Sequence, residues 1–542
     1  MRLFLLFLLA LSLPSFAKTI LCPSCSQDDF ENAYYVQSAP GDTIVLPAGT
    51  ATWGNSSRNN SGTIYLITPI TVQGQGDSTV ITIDDSGRTY AQGVIALWAP
   101  ITFKDLKIIG ASAGHPVTVF NIEAYSNPTT KSQMRGSYRL TNIPSEAHSD
   151  GYFAIIHPWV DSGLIDNCRF SSDLSYTELI FMRGRQDAWQ IPNTLGKADN
   201  VFIEDCTFNN TGYVCDANAN ARMVVRFNTL NGSNKVDGHG LASNSPARSF
   251  RNLEVYQNRW TKTGAGNWAN LEIRGGTSMV FKNTSITGWN FLHEYAYDAE
   301  PHGWPNFGFA ATSVPGPGPS TTTVTTSSPH GYKSTWPVWA QAPAGAIYGT
   351  YPVTVTSPTT FTIPITTTSN LTLDYVTTHK TPYDYPIRDQ IGSGKDGGPR
   401  EPTYLFLNSQ NSTPWTRNLG TVCASSIALY KAQTNNPNAT FTERDVVKAN
   451  RDFFADAGFD SATGVASGSA TQMRALSPPI PGFGFWVTDE GEWNAKNPGP
   501  DGRLYIWSGS TWILHYTPFS YPHPARAPLP PSGLRVLTPP TP

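Results

Sequence analysis

The sequence predicts an all-β fold, a solenoid built from parallel β-strands, and three observations support this prediction. A short β-type phrase recurs between about residues 100 and 290, and its later copies follow one another at about 22 to 30 residues, the length of one coil. The strands are rich in Val, Ile, Phe and Thr, with no helical period between them. Charged residues make up only 14% of the 542 residues. Such coils must stack, because one coil cannot bury its apolar face alone.

Six copies of the phrase can be aligned on their apolar positions. They are TFKDLKI (Thr102–Ile108), LIDNCRF (Leu164–Phe170), FIEDCTF (Phe202–Phe208), VVRFNTL (Val224–Leu230), EVYQNRW (Glu254–Trp260) and VFKNTSI (Val280–Ile286). The alignment predicts one stacked column made of Leu106, Cys168, Cys206, Asn228, Asn258 and Thr284. It predicts a second column, two positions later, made of Ile108, Phe170, Phe208, Leu230, Trp260 and Ile286.

The N-terminus has the pattern of a secretory signal peptide. Met1-Arg2 precedes an apolar run from Leu3 to Leu13, and Ser15-Phe16-Ala17 places small residues at a cleavage site. We therefore expect cleavage near Ala17 and a secreted protein at the cell surface, in the periplasm or outside the cell. No other stretch approaches the roughly 20 apolar residues of a membrane span.

The first coils carry a resemblance to a known fold family. GDTIVLPAGTATW (Gly41–Trp53) and ITVQGQG (Ile70–Gly76) resemble the opening coils of right-handed parallel β-helix proteins of the pectate-lyase-like superfamily, in an uncharacterised subgroup of secreted bacterial proteins. The resemblance covers roughly residues 20–310 and resumes later. It implies a right-handed parallel β-helix, to which the composition adds an inserted small antiparallel β domain and a C-terminal capping region. It does not imply one reaction, because function depends on the site rather than on the fold.

The remaining elements follow from shifts in composition. VPGPGPS (Val314–Ser320) is a linker, and the Thr-rich alternation after it predicts the inserted β domain, whose role stays open. A helix is predicted over Glu443–Ala455, and Ser508-Gly509 predicts a hairpin turn. The predicted segments are a signal peptide (1–17), a parallel β-helix (18–312), an inserted β domain (313–377), a return to the β-helix (378–430), a helix with a C-terminal β cap (431–524) and a disordered Pro-rich tail (525–542).

The C-terminal aromatic residues allow two interpretations. Trp486, Trp493, Trp507, Trp512 and Tyr516 lie close together in the sequence. Exposed rings would stack on sugars, whereas buried rings would form the core of a cap on the solenoid. We favour the cap.

Six cysteines face the oxidising compartment that a signal peptide implies. They are Cys22 and Cys25 in a CxxC, Cys168 and Cys206 in the first column, and Cys215 and Cys423. Neighbouring side chains in a solenoid column lie about 4.8 Å apart, so Cys168 and Cys206 are either bonded or simply stacked. A zinc site is not expected, because no second CxxC or paired His follows.

Chemistry on a β-helix should appear as polar residues at matching offsets in successive coils. Counting about ten residues on from the first column places Glu178, Asp216, His239 and Glu294 on one face, and Arg274, ten residues before Thr284, lies near the same face. Glu178 and Asp216 suit acid and base roles or a Ca²⁺ site, His239 suits proton transfer, and Arg274 suits a sugar carboxylate. The neighbouring Asp237, His293 and Glu294 are candidates for substrate binding.

One motif sharpens this face. VDGHGLAS (Val236–Ser243), followed about 30 residues later by LEIRGG (Leu271–Gly276), resembles the pattern of polygalacturonase-type glycosidases. The resemblance would make His239 the active-site histidine and Arg274 the substrate-binding arginine. The family's Asn-Thr-Asp and Asp-Asp motifs are missing, leaving only Asp216, and no Lys follows two residues after Arg274. The tryptophan-aspartate-histidine motif of calcium-dependent pectate lyases is also missing.

These observations predict a secreted carbohydrate-active protein that cleaves an acidic polysaccharide by hydrolysis or β-elimination. The alternative is a non-catalytic surface, adhesion or tail-spike-like protein that binds polysaccharide. The net charge of −3 gives no basic field for nucleic acid. The sequence assigns no cofactor, and Ca²⁺ dependence and a homotrimer stay open. Carboxylates about 5 Å or 6.5–9.5 Å apart would favour hydrolysis; carboxylates clustered with an arginine would favour a lyase.

Overall fold

The structure is a computed structural model that describes residues 17–526 with gaps. The gaps are residues 55, 59–61, 85–92, 111–117, 124–137, 148–151, 158–159, 161, 173–177, 185–187, 240–248, 262–269, 286–291, 295–308, 317, 319, 331, 333, 336, 343–346, 379–390, 393, 396–398, 411, 415–417, 420–448 and 457–463. The predicted signal peptide, apart from Ala17, lies outside the described residues, as do Cys423 and nearly all of the Pro-rich tail.

The strands from residue 19 to residue 294 and from residue 403 to residue 455 form the predicted parallel β-helix, which is confirmed. We name its three faces A, B and C. Face A contains Thr19–Leu21, Thr43–Val45, the first parts of Thr71–Ile83 and Thr102–Ile109, Tyr138–Thr141, Gly163–Asp166, Val201–Glu204, Arg222–Arg226, Asn252–Tyr256, Thr277–Phe281, Thr403–Phe406 and Phe453–Ala455. Face B contains Gly49–Trp53, the later parts of Thr71–Ile83 and Thr102–Ile109, Pro144–Ala147, Arg169–Ser172, Thr207–Asn209, Thr229–Asn231, Arg259–Trp260, Thr284–Ser285, Ser409–Gln410 and the antiparallel Thr413–Pro414. Face C contains Ile64–Leu66, Ile95–Leu97, Thr118–Ile122, Tyr152–Ile156, Glu178–Arg183, Gly212–Asn218, Asn234–Gly238, Leu271–Ile273, Leu292–Glu294 and Asn418–Leu419.

The first predicted column is real except in its last member. Asn258 pairs across the coils with Asn283, because Arg259 lies opposite Thr284. The prediction that Thr284 continues the column is therefore wrong by one residue, and the second column ends with Ser285, opposite Trp260, rather than with Ile286.

From Cys168 onward, through Asn283 to Asn408, this column is a ladder of buried polar side chains at the corner between faces A and B. Each Asn amide donates to a backbone carbonyl of the preceding coil, as Asn258 does to Val225 at 2.8 Å, and to the Asn oxygen of the next coil. The thiols of Cys168 and Cys206 occupy equivalent places and donate to Leu140 O and Ile165 O. They are free and stacked rather than bonded, and Cys22, Cys25 and Cys215 are likewise free and buried.

A left-handed residue precedes each member of the ladder. In eight coils this residue has a φ between 53° and 57°, and none of the eight is glycine: Asp105, Asn142, Asn167, Asp205, Phe227, Gln257, Lys282 and Leu407. A left-handed residue turns the chain sharply, so it carries the strand from face A into face B. The ladder amide then satisfies backbone groups that the turn leaves unpaired.

Two smaller sheets accompany the solenoid. A seven-stranded sheet with only antiparallel pairings in the described residues consists of Phe309–Pro315, Thr322–Thr326, Pro337–Gln341, Tyr348–Pro352, Thr354–Val355, Thr360–Ile363 and Leu371–Thr378. A four-stranded C-terminal sheet consists of Val465–Gly468, Gly484–Val487, Arg503–Trp507 and Trp512–Tyr516. Its last two strands form the hairpin that Ser508-Gly509 predicts.

The C-terminal region covers the outer side of face A. Its buried rings, which include Trp486, Trp493, Tyr516 and Tyr521, pack against Tyr256 and neighbouring residues of face A. The rings therefore form a core, as the cap interpretation requires, but along the side of the solenoid rather than over its end.

Helices are few and short in the described part of the chain. They are the α-helices Gln27–Asn32 and Ala470–Arg474, the π-helix Ala33–Gln37 and the 3₁₀-helix Pro524–Arg526. The predicted helix Glu443–Ala455 is wrong at its end, where Phe453–Ala455 is a strand paired with Thr403–Leu405; residues 443–448 lie outside the described residues. Among the residues described, no helix has the length and apolar character needed to cross a bilayer.

Candidate active site

The candidate site lies on the outer surface of face C, where three neighbouring strands bring polar side chains together. Asp216 lies opposite Asp237, which lies opposite Glu272 in the next coil. His239 and Arg274 follow directly after two of these strands. The backbone pairing of face C continues as far as these residues, because Arg274 N donates to Gly238 O at 2.9 Å. Side chains alternate between the two faces of a strand, so these residues all point away from the apolar interior.

Close packing explains the glycine that precedes His239. A Cβ atom on Gly238 would meet the Phe250 ring at 2.7 Å, and it would meet the Glu272 carbonyl at 3.1 Å. Only glycine lets the coil carrying Phe250 approach this strand so closely. The first glycine of the GHG motif therefore serves packing beneath the site.

His239 lies at the centre of the cluster, between carboxylates and a guanidinium. Its Nδ1 is 3.4 Å from Asp216 Oδ1 and 4.0 Å from Asp237 Oδ2, and Arg274 Nη2 lies 2.9 Å from the same nitrogen. Burial alone would lower the pKa of His239, but the Asp216 carboxylate outweighs burial and raises this pKa above its usual 6.5. The tautomer whose Nδ1 accepts from Arg274 carries its proton on Nε2, whereas the tautomer whose Nδ1–H points at Asp216 leaves Nε2 to accept a proton, and this second tautomer is the one that can act as a base.

Asp237 anchors the cations of the site. Its Oδ2 accepts from Arg274 Nη2 and lies 3.5 Å from Lys235 Nζ. Burial would raise the pKa of Asp237, but Arg274, Lys235 and His239 together outweigh burial and hold this pKa below its usual range. Only 2% of the Asp237 side chain is exposed, so the predicted substrate-binding residue lies beneath Arg274 and positions it.

Lys235 is a member of the cluster that the sequence reasoning missed. Its ammonium forms an ion pair with Glu272 and lies 3.4 Å from the hydroxyl of Tyr213. Lys235, Asp237 and His239 alternate along one stretch of chain, and this period of two is a strand signal that could have revealed Lys235. The sequence reasoning also missed Tyr213 and Glu272, the two partners of Lys235.

Glu178 is the predicted residue that lies farthest toward the N-terminal coils. Burial, and after it the negative charge of Asp216, raises the pKa of Glu178 to about 7. A carboxyl with this pKa is present in both its neutral and ionised forms near neutrality, as a group that donates or accepts a proton requires.

His293 and Glu294 belong to the next strand of face C. In register, His293 lies opposite Glu272 of the site, whereas Glu294 lies opposite the core residue Ile273, so only His293 is in the register of the predicted polar face. The side chains of His293 and Glu294 lie outside what the structure describes.

Asp216, Asp237 and His239 are the described residues whose ligand atoms lie close enough together for a metal, within 4.8 Å of one another. They do not fit Ca²⁺, which takes six to eight oxygen ligands. Two carboxylates and an imidazole supply too few oxygens, and Arg274 already places a positive charge against both Asp237 and His239.

Comparisons with known proteins add little to this geometry. An alginate lyase from Paenibacillus sp. str. FPU-7, of known crystal structure, is similar at a TM-score of 0.29 and 14% identity, over 51% of this chain and 97% of that chain. At this TM-score the similarity establishes neither a common fold nor a common activity. No known family profile matches the chain, and no curated protein matches it.

Proposed function

We propose that this protein is a secreted enzyme that cleaves a uronate-containing polysaccharide by β-elimination on face C. The observation that supports this proposal most is the exposure of the cluster. Asp216 and Asp237 are buried, with 4% and 2% of their side chains exposed, whereas His239 and Arg274 are exposed by 22% and 12%. Among the described residues of the cluster, those that a substrate can reach are therefore His239, Arg274 and the half-buried Glu178, Tyr213 and Asn218.

β-Elimination needs a positive charge, a base and an acid. Arg274 would pair with the uronate carboxylate and stabilise the charge that develops beside it. Neutral His239 would remove the proton on the carbon next to the carboxylate. The electron pair forms a carbon–carbon double bond as the bond to the glycosidic oxygen breaks, and neutral Glu178 would protonate that oxygen. The products are a new reducing end and an unsaturated uronate.

Hydrolysis is the second candidate, and the opposite pKa shifts of two carboxyls favour it. The pKa of Glu178 is raised to about 7 and the pKa of Asp237 is lowered, a separation typical of an acid and base pair. Asp237, however, lies beneath Arg274 and is paired with two cations. Hydrolysis needs two carboxylates that flank the scissile bond, so β-elimination is the better account of this geometry.

The test is to incubate the mature protein with polygalacturonate, alginate, a glycosaminoglycan and a neutral glucan, with and without a chelator. We expect new reducing ends together with the ultraviolet absorbance of the unsaturated product from one or more uronate polymers. His239→Ala should lower kcat/KM by about 10²-fold or more. Arg274→Ala should also abolish cleavage, and Arg169→Ala, which changes an exposed arginine on face B, is its control and should not.

The outcomes separate the candidates. Reducing ends without the chromophore would replace β-elimination by hydrolysis. Binding of a polymer without cleavage would instead support a polysaccharide-binding protein.

A further inference from the structure

Face C continues toward the N-terminal coils beyond the candidate site, and its outward side chains stay aromatic and polar. They lie in the register of the site: Phe181 is opposite Asp216, and Arg183 is opposite Asn218. The same surface carries His157, Glu123, Trp98 and Tyr65 in the coils before. We call these six residues, Tyr65, Trp98, Glu123, His157, Phe181 and Arg183, the N-terminal track.

Arg183 is the exposed cation of this track. Its guanidinium lies over the Phe181 ring at 5.2 Å, and the ring in turn lies 5.5 Å from Tyr152. The aromatic support restricts the side chain while it leaves hydrogen-bond donors at its edge for a carboxylate. Neighbouring strands are about 4.8 Å apart, so Arg183 lies two coils, or roughly 10 Å, from the strand that leads to His239.

The far end of the track is an aromatic pair. The rings of Tyr65 and Trp98 meet edge to face with centroids 4.6 Å apart, and both side chains are half-buried. The backbone of Tyr65 is held by the hydroxyl of Tyr35, at 3.2 Å from both its nitrogen and its oxygen. A fixed, partly exposed ring is a surface on which the apolar face of a sugar stacks. This pair lies about six coils, or roughly 29 Å, from the strand that leads to His239.

We propose that the N-terminal track is an extended binding region for the same acidic polysaccharide, in which Arg183 pairs with a second uronate carboxylate and the Tyr65–Trp98 pair supports a sugar ring. The proposal rests on the proposed function for the identity of the polymer. It further requires that the polymer lies along the solenoid axis, across successive coils, and that the enzyme favours long chains over short ones.

The test measures binding and turnover separately. His239→Ala is the background for binding, read as retardation on native gels that contain polygalacturonate or alginate at several salt concentrations. Within it, Arg183→Gln should weaken binding by about two- to fivefold, the range of an exposed ion pair, and should reduce the salt dependence. Trp98→Ala should weaken binding at all salt concentrations. Arg169→Gln, which changes an exposed arginine on face B, should have no effect.

In the active protein, Arg183→Gln should raise KM for long polymers by the same factor, with kcat unchanged and with little effect on short oligosaccharides. Arg183 is exposed, so this variant should fold normally. Retardation equal to that of the background in both variants, or no retardation by any polymer, would overturn the track. A protein that cleaves nothing, but whose retardation is lost in Arg183→Gln, would overturn the proposed function and leave the track standing.

Discussion

At the scale of single residues, the candidate site consists of a buried layer that holds an exposed layer. Asp216 and Asp237 fix His239 and Arg274, and their charges set the protonation of the groups above them. The acidic limb of a pH–rate profile should therefore report His239. Since Asp216 raises the pKa of His239 above 6.5, the neutral form of His239 becomes the major form at a higher pH than for an ordinary histidine.

We predict that Asp216→Asn moves the acidic limb of kcat/KM to lower pH, because the substitution removes the charge that favours the imidazolium form. The alkaline limb should also move to lower pH, since it follows Glu178, whose pKa of about 7 includes repulsion from Asp216. The measurement is kcat/KM between pH 5 and pH 9 in a constant-ionic-strength buffer. Asp77→Asn, at an exposed ion pair, is the control. An acidic limb at the same pH in Asp216→Asn would exclude His239 as the group that it reports.

We also predict that Glu178→Gln stabilises the protein while it impairs catalysis. The pKa of Glu178 is about 7 in the folded protein against 4.5 for an ordinary Glu, so the unfolded chain releases this proton first. The stability of the wild type is thereby lowered as pH rises from about 4.5 to 7, and it stays lower above that. The Tm of Glu178→Gln should exceed that of the wild type at pH 8 and equal it at pH 4. Glu492→Gln, at an exposed position, should change neither value.

At this scale the sequence placed Glu178, Asp216, His239 and Arg274 on one face, because a fixed offset from a repeated column is a geometric statement about a solenoid. It did not identify Lys235, because a fixed offset selects one position in each coil, although the alternation of Lys235 with Asp237 and His239 places it on the same side of the strand. It also could not assign Asp237 to the buried layer, because exposure depends on what lies above a side chain.

At the scale of elements, the ladder between faces A and B determines how each coil turns. Asn258 accepts from the backbone nitrogen and the side chain of Asn228, and it donates to Val225 O and to Asn283. Every one of these groups is buried, so water cannot replace the missing partner when one amide is removed.

We predict that Asn258→Ala destabilises the protein by about 2 to 4 kcal/mol, since it leaves several buried polar groups unpaired. Cys206→Ala should cost less, because a thiol is a weak donor. The measurement is equilibrium denaturation followed by tryptophan fluorescence and circular dichroism. Asn231→Ala, at a half-buried amide that pairs with Asn209, is the matched control and should cost well under half as much. If Asn258→Ala and Asn231→Ala lowered the free energy of unfolding equally, the buried hydrogen bonds of the ladder would contribute no more to stability than a half-buried pair.

The column was predictable from the sequence because the repeat spacing is nearly regular. The register error at Thr284 arose from aligning Val280 rather than Met279 with the first residue of the phrase. Both alignments place an apolar residue in the core, and only the left-handed Lys282 before Asn283 decides between them. Backbone conformation at a non-glycine residue leaves no clear mark in the sequence.

At the scale of the whole molecule, the C-terminal chain joins coils that are far apart in sequence. After Tyr516, whose hydroxyl donates to Glu254, the chain runs along face A toward the N-terminal coils. It reaches Arg226 through the carbonyls of Phe519 and Ser520. Arg526 then pairs with Asp166 at 3.3 Å. We call residues 516–526 the C-terminal strap.

The strap could not be predicted from the sequence. Arg226 follows the apolar residues of its strand, and nothing near it in the chain signals that its partners are about 290 residues away. The Pro-rich composition that begins near Pro522 is typical of disorder, yet residues up to 526 form ordered contacts. These contacts are made with charged residues of face A, such as Asp166 and Arg226, that are distant from the strap in the sequence and adjacent to it only in the folded protein.

Arg226 tests whether the strap is part of the folded unit. Its side chain is fully buried and pairs with Glu204, with the hydroxyl of Tyr256 and with two carbonyls of the strap. Removal of one partner of a buried ion pair leaves an uncompensated charge, which costs about 3 to 5 kcal/mol. Arg226→Ala should therefore lose about that much stability and should also free the strap from face A.

The measurement combines thermal unfolding with limited proteolysis and mass spectrometry of the C-terminal fragments. We expect cleavage within residues 516–526 at protease concentrations that leave the wild type intact, since the open strap presents unpaired backbone to the protease. Arg169→Ala, whose exposed pair with Asp77 should be worth at most about 1 kcal/mol, is the matched control. If Arg226→Ala lowers stability but the strap stays protected, the pair stabilises face A alone, and aromatic packing such as Tyr521 against Phe227 holds the strap in place.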